Sequence, residues 1–240
     1  MTRLLIATTN RNKLREICQV LASVTPASEV AQELSARMAH DVPASLANDS
    51  CELRRGSPKL QRNGGGSPVL RLLTLDEWPA LAAPEETGRT FEENARAKAL
   101  YYAAATGELT VAEDSGLEIK ALGGAPGVES ARFGGATTSY PEKFALIYAA
   151  LRANGALESP ARFVCALALA RDSRILFDTR GTVEGHIAPA AKGDGGFGYD
   201  PIFFYPPYGQ TLAEAGDRKA AVSHRGAAFR ALRAFLEAHP

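Results

Sequence analysis

The sequence has little of several features that mark particular classes of protein. Its 27 basic and 27 acidic side chains give a formal net charge of zero, which argues against a large basic surface for nucleic acid or an anionic membrane. No apolar run approaches the ~20 residues that cross a bilayer, and Leu4–Ala7 is too short for a secretion signal. Cys18, Cys51 and Cys165 are too few and too far apart for a disulfide framework or a CxxC metal site. These absences predict a cytoplasmic protein that binds neither nucleic acid nor membrane.

Aromatic side chains are missing from the first third of the chain. None precedes Trp78, and all 18 lie from that residue onward. Aromatic residues supply much of the buried area of a core, so a segment without them is a poor core former. Residues 25–68 are also rich in Ser, Pro, Asn, Gly and Arg and show no regular apolar spacing. We therefore predict a flexible insertion over 25–68, with a partner-binding arm as the alternative.

The length is compatible with one domain. At ~150 residues per domain, 240 residues correspond to about one and a half domains. Without the segment 25–68, about 195 residues remain, which is the size of one domain. We therefore predict a single domain over 1–240 that contains the insertion.

The rest of the sequence alternates between strand and helix patterns. Two capping boxes, Thr90 with Glu93 and Ser139 with Glu142, each predict the start of a helix. Helical spacing of apolar residues predicts a helix after the first turn and another at the end of the chain. Short apolar runs predict strands at 4–7, 70–74, 109–112, 117–122, 163–170 and 175–183. This alternation predicts an α/β protein.

The first turn is a candidate phosphate site. Its residues, between the first strand and the first helix, are Thr8, Thr9, Asn10, Arg11, Asn12 and Lys13. Unpaired N–H groups at a helix N-terminus favour anions, and hydroxyls with a lysine suit phosphate. The alternative is an ordinary Asn cap followed by a solvated lysine. The Walker A pattern is absent from the chain.

Two pairs of acids are candidate metal ligands. Glu85-Glu86 precede a predicted helix, and Glu113-Asp114 end a predicted strand. Acids at the carboxyl end of a strand are placed for a ligand crevice. Oxygen donors without a His or Cys cluster favour Mg²⁺ over zinc. The alternative is that Asp114-Ser115-Gly116 forms only a turn.

A glycine-rich loop is a candidate base site. Residues 193–198 match G-x-G-x-x-G, but no apolar strand precedes them and Tyr199-Asp200-Pro201 follows where a helix should begin. This context excludes the dinucleotide-binding interpretation. Phe197, Tyr199 and Asp200 instead suit stacking on a base and accepting its N–H groups.

Lys219, His224 and Arg225 lie near the predicted N-terminus of the terminal helix. Lys219 and Arg225 are cations, which are slightly unfavourable at this end of a helix. This placement indicates an anionic or carbonyl-rich ligand.

Five stretches together resemble the inosine triphosphate pyrophosphatase family. They follow the family's order and cover nearly all of the chain outside 25–68. The stretches are IATTNRNKLREI, PEETGRTFEENARAKAL, AEDSGLEIKALGGAPGVESARFGG, GGFGYDPIFF and DRKAAVSHRG.

The resemblance implies an α/β fold with a mixed central sheet, flanking helices and a nucleotide-binding cleft between two lobes. It implies a cytoplasmic homodimer that uses Mg²⁺ to hydrolyse dITP, ITP or XTP to the monophosphate and pyrophosphate. One alternative is an inactive nucleotide-binding protein regulated through the inserted segment. Another is a pyrophosphatase for a different modified nucleotide.

The resemblance also implies roles for individual residues. Asp114 would be a metal ligand and the general base, and Glu85 would help to hold the metal, with Glu86 as the alternative. Lys98 would assist at the phosphates, and Ser115 would contact substrate. The residues implied to bind the triphosphate are Thr8, Thr9, Asn10, Arg11, Asn12 and Lys13. Those implied to bind the purine and complete the nucleotide site are Phe197, Gly198, Tyr199, Asp200, Lys219, His224 and Arg225.

Overall fold

The computed structural model describes residues 2–22 and 70–239. The predicted insertion over 25–68 lies outside these residues. Within the described ranges the strands are β1 Thr2–Ile6, β2 Leu70–Thr74, β3 Leu109–Ile119, β4 Pro160–Arg171, β5 Arg174–Ile187, β6 Phe203–Tyr205 and β7 Gln210–Thr211. The helices are α1 Arg11–Ala22, α2 Phe91–Thr106, α3 Tyr140–Ala153, α4 Lys219–Val222 and α5 His224–Ala238. None of these helices is long and apolar enough to span a bilayer.

The strands form one mixed sheet in the order β2-β1-β3-β4-β5-β6-β7. β1 runs parallel to β2 and β3, and the remaining neighbours are antiparallel. The prediction of a mixed central sheet with flanking helices is thereby confirmed. The hairpin predicted between residues 163 and 183 is also confirmed as β4 and β5, which turn at Asp172 in the left-handed region (φ 55°).

β3 differs from its prediction because it is one continuous strand. Its parallel pairing with β1 ends at Val111, whereas its antiparallel pairing with β4 continues to Ile119. Glu113 and Asp114 therefore lie in the middle of β3, beyond the end of β1. The predictions of a strand end at 112, a separate strand at 117–122 and a turn at Asp114 were wrong, because pairing with β4 holds these polar residues extended.

Helices cover both faces of the sheet. α2 packs on one face through Phe91, Ala95, Ala99 and Ala103, opposite small residues of β4 that include Ala166. Small side chains on both surfaces leave room for the helix to lie close to the sheet. α1 and α5 pack on the other face, and α3 covers the far end of β3 and β4. Both faces of β3 are therefore buried, including its two acids.

The two predicted capping boxes are confirmed. Thr90 Oγ1 accepts from the N–H of Glu93 at 3.1 Å, and Glu93 Oε2 accepts from the N–H of Thr90 at 3.3 Å. Ser139 and Glu142 form the equivalent pair at the start of α3. These local bonds fix where α2 and α3 begin.

A glycine in β5 determines how closely α5 approaches the sheet. A Cβ at Gly181 would lie 2.1 Å from the carbonyl oxygen of His224 and 2.8 Å from the N–H nitrogen of Ala228. Only glycine leaves room for this backbone contact. The contact sets the first turn of α5, which carries His224 and Arg225, against the sheet.

Candidate active site

The first turn contains the Asn cap that the sequence offered as one of its two interpretations. Asn10 caps α1, since its Oδ1 accepts from the N–H groups of Asn12 at 3.0 Å and Lys13 at 3.2 Å. The Asn10 N–H donates to Thr8 Oγ1 at 3.2 Å. Lys13 is partly buried, and its Nζ lies 2.8 Å from Glu113 Oε1. The other residues of the turn, Thr9, Arg11 and Asn12, are exposed.

Glu113 is a buried counterion on the α1 and α5 face of the sheet. It lies 2.8 Å from Lys13 Nζ and 3.6 Å from Arg225 Nη2, and it accepts from Cys165 Sγ at 3.4 Å. Burial alone would raise the pKa of Glu113, but the charges of Lys13, Arg225 and Lys98 outweigh it and hold the pKa far below the ordinary value. Glu113 is therefore ionised and balances the cations beside it.

Asp114 points to the opposite face, toward α2. Its Oδ2 accepts from Asn94 Nδ2 at 3.0 Å, and its Oδ1 lies 3.4 Å from Lys98 Nζ. Burial raises the pKa of Asp114, and the neighbouring Lys98 and Asn94 offset only part of that rise. Asn94 and Lys98 stand four residues apart on α2, which places them on the same face of the helix.

The second carboxylate near Asp114 belongs to Glu86. Glu86 Oε1 lies 2.7 Å from the same Lys98 Nζ, and its Oε2 lies 3.5 Å from Arg132 Nη1. Glu85 is exposed and makes no hydrogen bond or ion pair with the described residues. Glu86, the alternative to Glu85 in the sequence analysis, is therefore the acid that shares Lys98 with Asp114.

A second cluster forms around the glycine-rich loop. Asp200 Oδ2 accepts from the N–H of Phe197 and from Lys219 Nζ, each at 2.7 Å. The ammonium group of Lys219 lies 4.6 Å from the centre of the Phe197 ring, and the Arg225 guanidinium lies 5.5 Å from it. Phe197 is half-buried. The loop thus presents an aromatic ring beside two cations, with its backbone fixed by Asp200.

Arg225 connects the glycine-rich loop to β3. It is 1% exposed, and its Nη2 donates to Ser115 Oγ at 2.9 Å. Glu16 on α1 accepts from Arg225 Nη1 at 2.5 Å and from Lys219 Nζ at 2.8 Å. Ser115 directly follows Asp114, so the cluster around Arg225 and the carboxylates of Asp114 and Glu86 are attached to adjacent residues of β3 whose side chains point to opposite faces.

Tyr199 and His224 lie beneath the loop rather than on its surface. Tyr199 is 3% exposed, and its hydroxyl donates to the carbonyl oxygen of Ser130 at 2.8 Å. His224 stacks on Phe163, with ring centres 4.9 Å apart and ring planes 14° apart. The predicted stacking on a base therefore rests on Phe197, whereas Tyr199 supports the loop from within the core. Gly198, between the two, adopts φ 70°.

His224 predicts a loss of stability in acid. Burial, reinforced by the charge of Arg225, lowers its pKa well below the ordinary 6.5. The unfolded chain takes up a proton as the pH falls through 6.5, whereas the folded protein does not. We therefore expect this residue to lower the free energy of unfolding by ~1.4 kcal/mol per pH unit below pH 6.5.

The measurement is urea unfolding at several pH values between 6.5 and about 5.5, on the wild type and His224→Phe. The variant keeps a ring against Phe163 but cannot titrate. Its stability should fall less steeply with acidification, by about one proton equivalent. Equal slopes for the two proteins would refute the effect.

The sequence analysis did not identify two residues of the site, Asn94 and Glu16. It named Glu86 only as the alternative to Glu85. Spacing offered a signal for the first two, since Asn94 precedes Lys98 by four residues and Glu16 follows Lys13 by three. Each pair shares one helix face.

Glu86 and Asp114 are the carboxylates that fit a divalent cation. Among residues 2–22 and 70–239, no group of three or more His, Cys, Asp or Glu side chains could hold a metal. Mg²⁺ is commonly held by one or two carboxylates together with phosphate oxygens of a substrate. The donor set on this face of β3 therefore fits Mg²⁺ bound together with a phosphate ligand.

Relatives of the chain share most of its length. Residues 61–235 match the Ham1 family. A dITP/XTP pyrophosphatase of an Exiguobacterium species is 49% identical over 162 residues, which cover 67% of this chain and 82% of that protein. A dITP/XTP pyrophosphatase of Thermus thermophilus is 50% identical over 169 residues, which cover 70% of this chain and 79% of that protein.

Solved structures agree with these relatives. A HAM1 protein from Coxiella burnetii has a TM-score of 0.74 at 30% identity and covers 98% of both chains. The Staphylococcus aureus Ham1 protein has a TM-score of 0.72 at 28% identity and covers all of both chains. These matches do not bear out the predicted insertion at 25–68. The extent of the family match and the identity to its relatives show that the chain belongs to the Ham1 family.

Proposed function

We propose that the protein hydrolyses dITP, ITP and XTP to the nucleoside monophosphate and pyrophosphate. The proposal rests on two clusters of side chains that are attached to adjacent residues of β3. An aromatic ring with two cations lies on one side, and two carboxylates sharing a lysine lie on the other. The names of the relatives, dITP/XTP pyrophosphatase, support the same reaction.

The triphosphate would bind where cations lie near the N-terminus of α1. This end of α1 presents the positive end of a helix dipole, and a phosphate oxygen would compete with Asn10 Oδ1 for the N–H groups of Asn12 and Lys13. Lys13 and Lys98 add positive charge from two sides of β3, each already close to a carboxylate. A bound phosphate would compete with Glu113 and Glu86 for these lysines.

Glu86, Asp114 and Lys98 would catalyse the hydrolysis. Glu86 and Asp114 would hold Mg²⁺, which polarises a phosphoryl group and lowers the pKa of a bound water. Asp114 would accept the proton of the attacking water as the general base. Lys98 would neutralise charge on the phosphate oxygens.

The base cluster would select a purine with a carbonyl at position 6. Phe197 would stack on the ring, and Lys219 and Arg225 offer donors beside it. The adenine amino group would leave such donors unmatched in a buried site, which is costly. No observation favours the inactive alternative, because Glu86, Lys98 and Asp114 are all in place.

A substrate panel tests the proposed selectivity. Initial rates are measured with dITP, ITP and XTP against dATP and dGTP at equal concentrations with Mg²⁺. We expect kcat/KM for dITP to exceed that for dATP by about 100-fold or more, the discrimination of a site whose buried polar groups are left unpaired by the wrong substrate. Equal turnover of dATP would contradict the selectivity for a carbonyl at position 6, whereas dGTP has that carbonyl and its rate measures discrimination at position 2.

Removal of the metal should abolish turnover. Two carboxylates and a triphosphate repel one another without a cation, so excess EDTA should reduce the rate by about 1,000-fold or more. Added Mg²⁺ should restore the rate, and a thermal melt in EDTA serves as the folding control. Full activity in EDTA would exclude the metal from the mechanism.

The proposal extends to assembly and location. As the family resemblance implies, the enzyme would act as a homodimer in the cytoplasm. Sedimentation equilibrium of the purified protein tests the assembly, and a species of about 51 kDa, twice the 25.5 kDa chain, is expected. A species of 25.5 kDa at all concentrations would contradict it.

A further inference from the structure

Asn94 is a buried amide that contacts Asp114 and the loop that carries Glu86. It lies on the first turn of α2 and is 1% exposed. Its Nδ2 donates to Asp114 Oδ2 at 3.0 Å, and its Oδ1 accepts from the N–H of Gly88 at 2.8 Å. Gly88 follows Glu86 by two residues. One side chain therefore joins β3 to the loop that carries Glu86.

The orientation of the Asn94 amide follows from its partners. The Gly88 N–H is a donor and requires an oxygen, which assigns Oδ1 to that side. The –NH₂ group then faces Asp114, whose oxygen accepts from it. Reversal of the amide would oppose two donors at Gly88 and two acceptors at Asp114. The two bonds thus hold the amide in one orientation.

The two carboxylate oxygens of Asp114 have different partners. Oδ2 is occupied by Asn94, whereas Oδ1 faces Lys98 at 3.4 Å, a distance that marks a weak contact. Glu86 Oε1 lies 2.7 Å from the same Lys98 Nζ. Oδ1 is therefore the Asp114 oxygen on the side of Lys98 and Glu86.

We propose that Asn94 is a positioning residue that fixes the Asp114 carboxylate with Oδ1 toward the reacting water. This role rests on the proposed pyrophosphatase function. Asn94 contacts no reacting atom and acts through Asp114. Its bond to Gly88 also keeps the Glu86 loop in register with β3, so both carboxylates depend on one amide.

Asn94→Asp separates positioning from simple support of the loop. Aspartate keeps an oxygen for the Gly88 N–H but replaces the donor to Asp114 by a second carboxylate oxygen. If Asn94 positions Asp114, kcat for dITP should fall by about 100-fold, as expected when a catalytic group is displaced by ~1 Å. KM for dITP, and the affinity for ITP measured without divalent metal, should change less than threefold.

Gly88→Ala provides a second variant in case aspartate disturbs folding. A Cβ at Gly88 would lie 2.5 Å from Asn94 Oδ1, 2.9 Å from Glu93 Cβ and 3.0 Å from the backbone nitrogen of Asn94, so alanine would press on the Asn94 amide and on the first turn of α2. The amide would be pushed without adding charge. We again expect a lower kcat with KM and metal-free ITP affinity unchanged. Arg96→Gln, an exposed residue of the same helix, serves as the control and should keep wild-type kinetics.

The outcomes are distinct. A kcat of Asn94→Asp within threefold of the wild type would overturn the proposal, because the loop bond alone would then suffice. A loss of kcat matched by an equal rise in KM or loss of ITP affinity in either variant would also overturn it, because it would indicate a displaced binding site. Failure of the wild type to release pyrophosphate from dITP would instead overturn the proposed function, and this proposal with it.

Discussion

Asp114→Asn is expected to reduce kcat for dITP by about 1,000-fold or more, since a general base alone contributes 10²–10⁴-fold. Asparagine has nearly the same shape and can still accept from Asn94 Nδ2 through its amide oxygen. It cannot take a proton from water, and it removes a negative charge from the site proposed for Mg²⁺. The loss should therefore appear in kcat with the fold intact.

The measurement is pyrophosphate release at saturating dITP and Mg²⁺, with circular dichroism and a thermal melt as folding checks. Asp178→Asn is a matched control, since Asp178 pairs with Arg96 on the surface of the sheet and has no contact with the site. The control should keep the wild-type rate. Activity of Asp114→Asn within tenfold of the wild type would remove Asp114 from the role of general base.

Arg225→Met is expected to lower both stability and selectivity. Arg225 is fully buried and pairs with Glu16 and Glu113 while donating to Ser115. Methionine fills similar volume but leaves two carboxylates with less compensating charge. Loss of one partner from a buried ion pair costs about 3 kcal/mol, which corresponds to a melting temperature lower by roughly 6–12 °C for a chain of this size.

The same substitution removes a donor beside the Phe197 ring. The preference for dITP over dATP should fall by about 10-fold or more, because a carbonyl at position 6 loses a charged donor worth about 1.5 kcal/mol or more. The double variant Arg225→Met with Glu16→Gln should recover part of the lost stability, since it removes the charge of a carboxylate that has lost one of its two cationic partners and keeps only Lys219. Wild-type melting temperature and selectivity in Arg225→Met would contradict this account of the base site.

Local signals in the sequence predicted the helices well. The capping boxes at Thr90 and Ser139 each depend on two residues three apart, so they are visible without the fold. β3 was harder to predict, because Asp, Ser and Gly have low strand propensity. Its continuity comes from β4, a partner some 50 residues further along the chain, and no local pattern records that pairing.

The site was predicted in outline but not in its internal contacts. Motifs brought Lys13, Asp114 and Arg225 forward because their residue types suit phosphate, metal and carbonyl ligands. Glu85 and Glu86 are adjacent and chemically identical, and only the path of the loop decides which one reaches Lys98. The roles of Glu16 and Asn94 depend on partners about 200 and 20 residues away.

The charged side chains at the site compensate one another. Several of them are buried, and Glu113 compensates Lys13 as Asp200 compensates Lys219. Buried charges in a folded protein need such partners. A ligand rich in phosphate would exchange some of these pairs for its own.

Identification of the products formed from dITP shows whether the enzyme releases pyrophosphate or orthophosphate. The purified protein is incubated with dITP and Mg²⁺, and the products are separated by ion-exchange chromatography. We expect dIMP and pyrophosphate in equal amounts, with no dIDP and no orthophosphate. Formation of dIDP with orthophosphate, or recovery of unreacted dITP from the folded enzyme, would contradict it.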